Sequence, residues 1–432
     1  MVLTDATENY LGRLHDKRLH LTLSKDGCHL AYVAGTRGIL RRVLRLDYKV
    51  FMVMDSKSRP IFDGVGSFSF TPDGAHFGYS VRKGNRTVAI LDDRPVGEHG
   101  LITDNPFALD RDGHKAAYLV GEGKEGLAVC VNGRELRRHK AIGAESLLFS
   151  PDGGRLAYSA RDGEKWFVVV DGQAGPEFDA VGTVVFNGNA EHFAYPAWLG
   201  RNVLAVLDHC PSEPHRVDDT TRVDSVAFTP DGKRFGYTVL GFRGGGSTSG
   251  YAVVDGVKGP DYSNGAFSLV FSESGSVAYV ACASRDWPHG HDRHFVVMNG
   301  QEIPVEAISI DSLALSPDGR HYAYLSGKGH DRFVVLDGCA QETFEWIGGL
   351  RSNGMLAPKK YGFEIPPVFS RDSKHLAYAA GKGTEVFAIL DGQRGPGYDE
   401  IAQGAPSFGT EGFMQYLARR GRSLYRIQKS PK

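Results

Sequence analysis

The sequence predicts an all-β protein built from repeated four-stranded antiparallel units, and three features of the chain lead to this prediction. An Ala-Tyr or Gly-Tyr dipeptide, replaced by Gln-Tyr at its last occurrence, recurs with a period of about 40 residues. A tight-turn signal such as Pro151-Asp152-Gly153 precedes the tyrosine, and an apolar run ending in Asp-Gly or Asn-Gly usually follows it. The repeated tyrosines are Tyr32, Tyr79, Tyr118, Tyr158, Tyr195, Tyr237, Tyr279, Tyr324, Tyr378 and Tyr416.

The segment 146–182 shows the four predicted strands most clearly. Strand A covers 146–150, strand B 155–159, strand C 165–170 and strand D 176–181. Asp-Gly turns join A to B and C to D, because glycine adopts positive φ without steric cost. Strand C is almost continuously apolar, which indicates that both faces of each sheet are covered by other sheets.

Four-stranded sheets that cover one another and leave only short edges are typical of a β-propeller. We therefore predict a single β-propeller over 1–432 with about ten blades. The last unit ends with its third strand, 424–427, and we expect the N-terminal segment 1–16 to supply the closing strand of that blade. Two smaller propellers, or fewer blades, are the alternatives. The A-to-B turns begin at Asp26, Asp73, Asp112, Asp152, Asn189, Asp231, Ser274, Asp318, Asp372 and Glu411.

The segments 149–158 and 228–237, which run through the A-to-B turn to the repeated tyrosine, carry a likeness to a known family. They resemble the TolB-type propeller repeat, also called PD40 or WD-repeat-like, and the resemblance covers nearly the whole chain. It implies a propeller fold and an interaction function, although the repeat also occurs in peptidase propellers, periplasmic translocation proteins and many bacterial proteins. The Trp-Asp end of a true WD repeat is reduced to its aspartate at Asp171, Asp255, Asp337 and Asp391.

A second signature, Asp-Gly followed by Gly-Pro and an aromatic residue, recurs at 170–179, 254–262 and 390–399. We interpret it as a C-to-D hairpin and not as a ligand loop. The repeated tyrosines are expected to fill the core between sheets, and the turn aspartates to satisfy turn amides.

Composition narrows the classes of function. The formal net charge of -1, from 50 basic and 51 acidic residues, argues against a wholly basic nucleic-acid surface. The 5 cysteines lack paired CxxC spacing, so we expect buried thiols in a reducing compartment. There is no apolar run long enough for a membrane span and no visible signal sequence, which favours the cytoplasm, or the periplasm if a signal peptide was removed.

Departures from the repeat point to the candidate site, because insertions in repeat proteins map to loops. Four stand out: B-to-C segments 35–49, 241–250 and 284–294, and the D-to-A connection 347–367. In an antiparallel blade these loops open on one face, so we predict a composite patch for a protein partner. Its predicted contact residues are Arg41, Arg42, Arg45, Phe242, Arg243, Trp287, Arg351, Lys359, Lys360 and Tyr361.

Two other functions were weighed against this one. His289, His291, His294 and Asp292 offer metal-ligand atoms for a small-ligand or metal-binding enzyme at the mouth of a central channel, although their spacing fits no standard motif. The alternative, which the sequence favours, is a solvent-exposed polar loop anchored by Trp287 and Pro288. The arginines of 35–49 could contact nucleic acid, or could form the solvated side of a hairpin.

The chain contains no Gly-x-Ser-x-Gly nucleophile elbow, and its Gly244-Gly-Gly run lacks the Gly-Lys-Ser/Thr of a phosphate loop. The sequence therefore predicts a non-catalytic β-propeller that needs no cofactor and acts as a protein-binding or scaffold module.

Overall fold

The computed structural model describes most of the repeats of the 432-residue chain. Within the described residues the chain forms ten sheets and one short 3-10 turn, Ile310–Ser312, and it contains no α-helix. No helix of this part is long and apolar enough to cross a membrane. The predicted all-β fold of antiparallel four-stranded units is confirmed. The described ranges are 7–13, 18–23, 30–35, 50–54, 57–84, 86–100, 102–121, 126–143, 146–216, 222–243, 247–283, 293–328, 331–348, 365–401, 406–409 and 411–431.

The chain divides into two compact bodies. The N-terminal body comprises Tyr10–Phe186 with Arg422–Leu424, and the C-terminal body comprises Met1–Asn9, Asn187–Gly421 and Tyr425–Lys432. Sheets 1 to 4, numbered in chain order, belong to the N-terminal body, sheets 6 to 9 belong to the C-terminal one, and sheets 5 and 10 contain residues assigned to each. One continuous propeller over 1–432 stays a prediction.

The strands of the first four sheets follow one another in the predicted A, B, C, D order. After β1 (Thr7–Arg13), sheet 1 contains β2 (Arg18–Leu23), β3 (Leu30–Gly35), β4 (Val50–Met54) and β5 (Lys57–Phe62); sheet 2 contains β6 (Gly64–Phe70), β7 (Phe77–Lys83), β8 (Arg86–Leu91) and β9 (Arg94–His99); sheet 3 contains β10 (Ile102–Leu109), β11 (Ala116–Val120), β12 (Leu127–Val131) and β13 (Arg134–His139); sheet 4 contains β14 (Ala141–Ile142), β15 (Leu148–Phe149), β16 (Leu156–Arg161), β17 (Trp166–Val170) and β18 (Gln173–Ala174).

The remaining sheets keep the same order. Sheet 5 contains β19 (Ala180–Val181), β20 (Val185–Phe186), β21 (Phe193–Leu199), β22 (Asn202–Leu207), β23 (Cys210–Pro211) and β24 (His215–Arg216); sheet 6 contains β25 (Arg222–Phe228), β26 (Phe235–Arg243), β27 (Ser247–Val254) and β28 (Val257–Lys258); sheet 7 contains β29 (Gly265–Phe271), β30 (Val277–Ala283), β31 (Arg293–Met298) and β32 (Gln301–Val305); sheet 8 contains β33 (Ala314–Leu315), β34 (Tyr322–Lys328), β35 (Asp331–Leu336) and β36 (Cys339–Ala340); sheet 9 contains β37 (Trp346–Ile347), β38 (Val368–Phe369), β39 (Leu376–Lys382), β40 (Glu385–Leu390) and β41 (Gln393–Arg394); sheet 10 contains β42 (Glu400–Ile401), β43 (Ser407–Phe408), β44 (Met414–Arg420), β45 (Ser423–Lys429) and β1.

Strand A is less regular than the sequence predicts. In sheets 4, 5, 9 and 10 it is split into two short pieces, and in sheet 7 the pairing register shifts between Phe267 and Val270. Ser268 lies in that shift with φ of 50°, a left-handed conformation that non-glycine residues rarely adopt. Such bulges bend a strand and redirect its side chains.

The second signature forms a C-to-D hairpin, as predicted. In sheet 4, Asp171 and Gly172 have φ of 52° and 80°, and β17 pairs with β18 across that turn. The aromatic residue of the signature then bridges back to the start of strand C, as Phe178 does to Trp166. This return brings its ring toward the repeated tyrosine of the following sheet, for example Tyr398 to Tyr416 with 6.1 Å between ring centroids.

The repeated tyrosines form the core, which confirms that part of the sequence analysis. Tyr118, Tyr158 and Tyr195 are no more than 2% exposed, and the alanine before each of them is fully buried. Their rings pack with apolar residues of the adjacent sheet, such as Leu119 beside Tyr158. Burying one such side chain stabilises a fold by roughly 1.5–3 kcal/mol, so the repeat fixes the sheet-to-sheet packing.

The outermost strand of sheet 10 is the N-terminal strand β1, which pairs with β45. The Tyr398 hydroxyl donates to Glu8 Oε1 at 2.5 Å, and an Arg420 Nη2 lies 3.4 Å from the same oxygen. The strand β1 is thus held by the side-chain contacts of Glu8 as well as by backbone pairing with β45. Closure of a single ring by 1–16 stays a prediction.

The thiols are not all buried, contrary to expectation. Cys130 and Cys282 are buried, whereas Cys210 and Cys339 are exposed. Both exposed cysteines begin strand D directly after a C-to-D turn, where a side chain faces solvent.

Candidate functional site

Each sheet has two chemically different ends. The A-to-B and C-to-D turns lie at one end, which we call the turn end, and the B-to-C and D-to-A connections lie at the other, the loop end. In the A-to-B turn of sheet 6, the Thr229 hydroxyl donates to Asp231 Oδ1 at 2.7 Å, and the same carboxylate accepts the Lys233 amide at 3.2 Å. These hydrogen bonds lower the pKa of Asp231 to about 2. The same hydroxyl-to-carboxylate bond joins Thr71 to Asp73, Ser150 to Asp152, Ser316 to Asp318 and Ser370 to Asp372.

The aspartate of the C-to-D turn is equally structural. Asp255 has φ of 51°, and its Oδ1 accepts the Phe235 amide at 3.0 Å while its Oδ2 accepts Arg234 Nε at 2.9 Å. A histidine takes the place of that arginine in four sheets, with Nδ1 2.6 to 2.7 Å from the carboxylate: His76 to Asp92, His192 to Asp208, His321 to Asp337 and His375 to Asp391. These pairs resemble catalytic dyads in isolation, but their recurrence at one repeat position makes them turn supports.

Neighbouring sheets are joined through their turn ends. In the C-terminal body Arg234 Nη1 donates to the Gly275 carbonyl at 2.6 Å, and Ser274 Oγ donates to the Asp318 carbonyl at 2.8 Å. The Asp318 amide in turn donates to Ser373 Oγ at 3.0 Å. These three bonds connect sheets 6, 7, 8 and 9 in succession. Much of the polar surface of the turn end is therefore used to assemble the sheets.

At the loop end, sheet 6 differs from sheets 2, 5 and 9, whose B-to-C hairpins are described in full or nearly so. The B-to-C hairpin closes four residues after the repeated tyrosine in sheets 2, 5 and 9, at Lys83, Leu199 and Lys382. In sheet 6 the pairing continues two residues further, through Phe242↔Thr248 and Arg243↔Ser247. At about 3.3 Å per residue, the hairpin is longer by about 7 Å. The expectation that 241–250 forms a loop is wrong, because all but 244–246 of it belongs to β26 and β27.

Leu199 is a second departure at the loop end, on the sheet next to this hairpin. It occupies the hairpin-closing position that is lysine in sheets 2 and 9, and it is 43% exposed. Sheets 5 and 6 pack together through a cluster that contains Val203, Val223 and Tyr237. An exposed leucine therefore accompanies the long hairpin on adjacent sheets of one body. We call Leu199 and residues 241–250 the loop-end patch.

The structure describes few of the other predicted site residues. Trp287, Arg351, Lys359, Lys360 and Tyr361 lie outside the described residues, as do Arg41, Arg42 and Arg45 of the first unit. The side chains of Phe242 and Arg243 are likewise not described, although their backbone positions in β26 are. The prediction that these residues form one patch stays a prediction.

Of the predicted metal ligands, only His294 is described. It was expected in a loop but lies in β31, opposite Cys282 and Val305. Its Nδ1 is buried and makes no hydrogen bond within the described part of the chain. No group of three or more histidine, cysteine or carboxylate side chains among the described residues could hold a metal ion. His289, His291 and Asp292 lie outside those residues.

The structure also reveals a partly buried polar cluster that the sequence did not indicate. Cys130 Sγ lies 3.6 Å from His99 Nε2 and 3.4 Å from the Tyr118 hydroxyl, and His99 Nδ1 lies 3.8 Å from Glu135 Oε1. The order thiol, imidazole, carboxylate resembles that of a cysteine hydrolase. However, Cys130 is fully buried, and burial raises the pKa of its thiol. Substrate cannot reach the sulfur in this structure, so the cluster acts as a polar core.

A second such cluster lies between sheets 5 and 6. His215 Nε2 lies 2.8 Å from the Tyr237 hydroxyl, and its Nδ1 lies 2.9 Å from the Tyr251 hydroxyl. Burial lowers the pKa of His215, and the nearby Lys258 ammonium lowers it further. Both ring nitrogens of His215 are thus hydrogen-bonded to tyrosine hydroxyls. Neither nitrogen is left to bind a ligand.

Comparison with known proteins gives a likeness in fold. No protein-family model matches the chain, and no curated protein matches it. Among solved structures, a eukaryotic initiation factor is 11% identical over 89% of this chain and 92% of its own, with a TM-score of 0.47. The propeller of Dos1 is 9% identical over 99% and 96%, with a TM-score of 0.35. The propeller of the Trilobed protease from Pyrococcus furiosus is 10% identical over 87% and 93%, with a TM-score of 0.33.

The chain has the β-propeller fold. Its sheets are antiparallel, with the strand order A to D, and apolar cores lie between successive sheets, as in propeller blades.

Proposed function

We propose that the protein is a non-catalytic binding or scaffold module that captures a partner protein through the loop-end patch. The observation that carries this proposal is the difference between the two ends of the sheets. Polar turn-end side chains are used in hydrogen bonds within and between sheets, and Val257 is an isolated exposed apolar residue there, whereas the loop end combines the elongated β26–β27 hairpin with the exposed Leu199. Apolar and aromatic side chains on irregular loops are the usual anchors of protein interfaces.

The elongated part of the hairpin contributes little to the sheet that carries it. Pairing of β25 with β26 ends at Leu240, and the bridge from Tyr262 to β27 ends at Gly250. Among the described residues, the rungs beyond these points have no third strand beside them. Within the described residues these rungs pair only with each other, and we propose that they serve in recognition of a partner.

The wider context is part of the same proposal. The repeat belongs to the TolB or PD40 type, and one ring of about ten blades is closed by β1. The predicted contacts Arg41, Arg42, Arg45, Phe242, Arg243, Trp287, Arg351, Lys359, Lys360 and Tyr361 extend the loop-end patch. A reducing compartment such as the cytoplasm is part of the proposal, because the 5 cysteines lack paired CxxC spacing.

A shortened hairpin tests the proposal. In this variant an Asn-Gly turn replaces 242–248 and joins Gly241 directly to Ser249, which are already paired. We expect unchanged circular dichroism and an unchanged melting temperature, together with loss of partner capture in affinity purification from the native host. Partner capture equal to that of the unaltered protein would contradict the proposal.

Val257→Ser is the matched control. Val257 is 70% exposed and follows the C-to-D turn of the same sheet, at the opposite end from the hairpin. It should leave partner capture unchanged. Loss of capture in both variants would show that the effect is not specific to the loop end.

The metal-binding alternative has one observation in its favour, the unpaired Nδ1 of His294 within the described residues. In that case His294 would act with His289, His291 and Asp292. Metal analysis of the purified protein distinguishes the two: a stoichiometric transition metal that is lost in His294→Ala favours the alternative.

A further inference from the structure

The outer edge of sheet 3 differs from the outer edges of the other sheets. Its last strand, β13, is six residues long and pairs with β12 alone in the described sheet. One row of its backbone amides and carbonyls therefore faces outward without a strand partner. Such an edge is a template for an added strand unless the protein blocks it.

Most of the other outer strands have a feature that hinders pairing with an added strand. In sheets 4, 5, 6, 8 and 9 the C-to-D hairpin adds a strand D of two residues, too short to template a partner. The long outer strands β5, β9 and β32 contain Pro60, Pro95 and Pro304, and a proline has no amide hydrogen to donate to an added strand. Neither β13 nor β1 contains proline.

The strands β13 and β1 differ in their charged residues. The run 134–140 contains four basic residues and one acidic residue, whereas β1 contains Glu8 and Arg13. Arg137 is 74% exposed and its Nη2 donates to Asp162 Oδ2 at 3.0 Å, whereas Arg134 and Lys140 are exposed at the two ends of the run. Glu135, the one acidic residue, is held by Arg138 at 2.7 Å. The edge thus combines free backbone groups with a net positive charge.

The start of β13 has a defined orientation. Asn132 and Gly133 have φ of 46° and 83°, which is typical of a two-residue type I′ turn. In such a hairpin the flanking residues Val131 and Arg134 exchange hydrogen bonds, so the amide and carbonyl of Glu135 face outward. The outward row therefore begins at Glu135, and a β-bulge follows it, because the pairing register with β12 shifts between Glu135 and Arg138.

We propose that β13 is a second binding site, separate from the loop-end patch, which accepts an acidic extended segment of a partner protein as an added β-strand. Backbone hydrogen bonds to the edge provide the affinity, and the arginines and Lys140 select a segment that carries carboxylates. A basic edge that serves only to prevent aggregation is the competing interpretation.

The test uses the full chain and a fluorescein-labelled peptide of alternating glutamate and valine, about ten residues long so that it spans the strand. We expect saturable binding by fluorescence anisotropy, together with slower deuterium exchange in the segment that contains Glu135. A peptide of alternating glutamate and proline has the same charge but cannot pair as a strand, and we expect it to bind at least 10-fold more weakly.

Variants locate the site. Arg134→Glu combined with Lys140→Glu should weaken binding of the glutamate-valine peptide at least 10-fold and leave the melting temperature unchanged. Arg94→Glu is the matched control, since Arg94 is the exposed first residue of the proline-containing strand β9; it should leave binding unchanged.

Four results would overturn the proposal. They are no binding of the glutamate-valine peptide, equal binding of the proline peptide, exchange protection confined to segments other than β13, and tighter binding of single-stranded oligothymidine that is lost in the same double variant. The last result would assign the edge to nucleic acid.

Discussion

The hydroxyl of Tyr378 is buried next to the ring of Phe344 and makes no hydrogen bond within the described part of the chain. The two ring centroids are 6.5 Å apart in an edge-to-face arrangement. Phe344 occupies the aromatic position of the C-to-D signature, which is tyrosine at Tyr262 and Tyr398. At those positions the hydroxyl donates to Glu302 and to Glu8 and also bonds the repeated tyrosine of the next sheet. Phenylalanine at 344 therefore explains the unpaired hydroxyl.

Phe344→Tyr should stabilise the protein, because the added hydroxyl can accept a hydrogen bond from Tyr378. We expect a gain of about 1 kcal/mol in the free energy of unfolding, measured by chemical denaturation. Tyr262→Phe is the reciprocal change, and it should cost about 1–3 kcal/mol because Glu302 and Tyr279 both lose a buried partner. A destabilising Phe344→Tyr would show that the site has no room for the hydroxyl.

Gly97 allows Tyr118 to reach its polar cluster. A Cβ added at Gly97 would lie 2.1 Å from the Tyr118 hydroxyl and 3.1 Å from Gly133 Cα. We expect Gly97→Ala to destabilise the protein by about 1–3 kcal/mol. The double variant Gly97→Ala/Tyr118→Phe should recover part of that loss, since the hydroxyl in conflict is gone. Strictly additive effects in this double-mutant cycle would show that the clash is relieved by other movements.

The aspartate at the C-to-D turn should tolerate asparagine but not alanine. Asn132 and Asn299 occupy this position in sheets 3 and 7. Each Oδ1 accepts a hydrogen bond from the backbone amide that is equivalent to the amide bound by Asp255 in sheet 6. Asp255→Asn is expected to cost less than about 1 kcal/mol, by loss of the Arg234 ion pair. Asp255→Ala should cost about 1–3 kcal/mol, because it orphans the Phe235 amide and places alanine at positive φ. Melting temperatures of both variants test whether Asp255→Ala destabilises the protein more than Asp255→Asn does.

The A-to-B turns should make stability depend on pH in the acid range. The Thr229 hydroxyl holds the folded-state pKa of Asp231 at about 2, below the ordinary aspartate value of 3.8, and hydroxyl donors also lower the pKa of Asp73, Asp152, Asp318 and Asp372. A depressed carboxyl pKa stabilises the fold above the unfolded-state pKa, and that contribution disappears as pH falls from about 4 to about 2. Melting temperatures of the unaltered protein and Asp231→Asn should therefore differ at pH 5 and converge toward pH 2. A constant difference would contradict the assignment.

The repeat made most of the fold predictable. Pro-Asp-Gly and Asp-Gly turns act locally, so they locate the strands without knowledge of the tertiary structure. The spacing of the tyrosines then identifies the sheets, and their burial between sheets follows from their size and apolar rings. Even the return of Phe178 to Trp166 could be anticipated from the recurrence of its signature.

The site was less accessible to sequence reasoning. The glycine- and serine-rich run 241–250 has the composition of a loop, but its pairing with the strand before it extends a hairpin that is already formed. The contact of His99 with Tyr118 and Cys130 joins strands of different sheets, and no local pattern encodes it. A histidine about half a repeat before the tyrosine, as at His99 and His215, is the signal that could have indicated both polar clusters.

Site-specific photocrosslinking tests the central claim most directly. A photoreactive amino acid is placed at Leu199 or, in a separate variant, at Val257, two exposed aliphatic positions at opposite ends of the sheets. The account predicts a covalent partner adduct from position 199 and none from position 257 after irradiation in the native host. An adduct from 257 alone would show that the partner binds the turn end, and would contradict the proposed function.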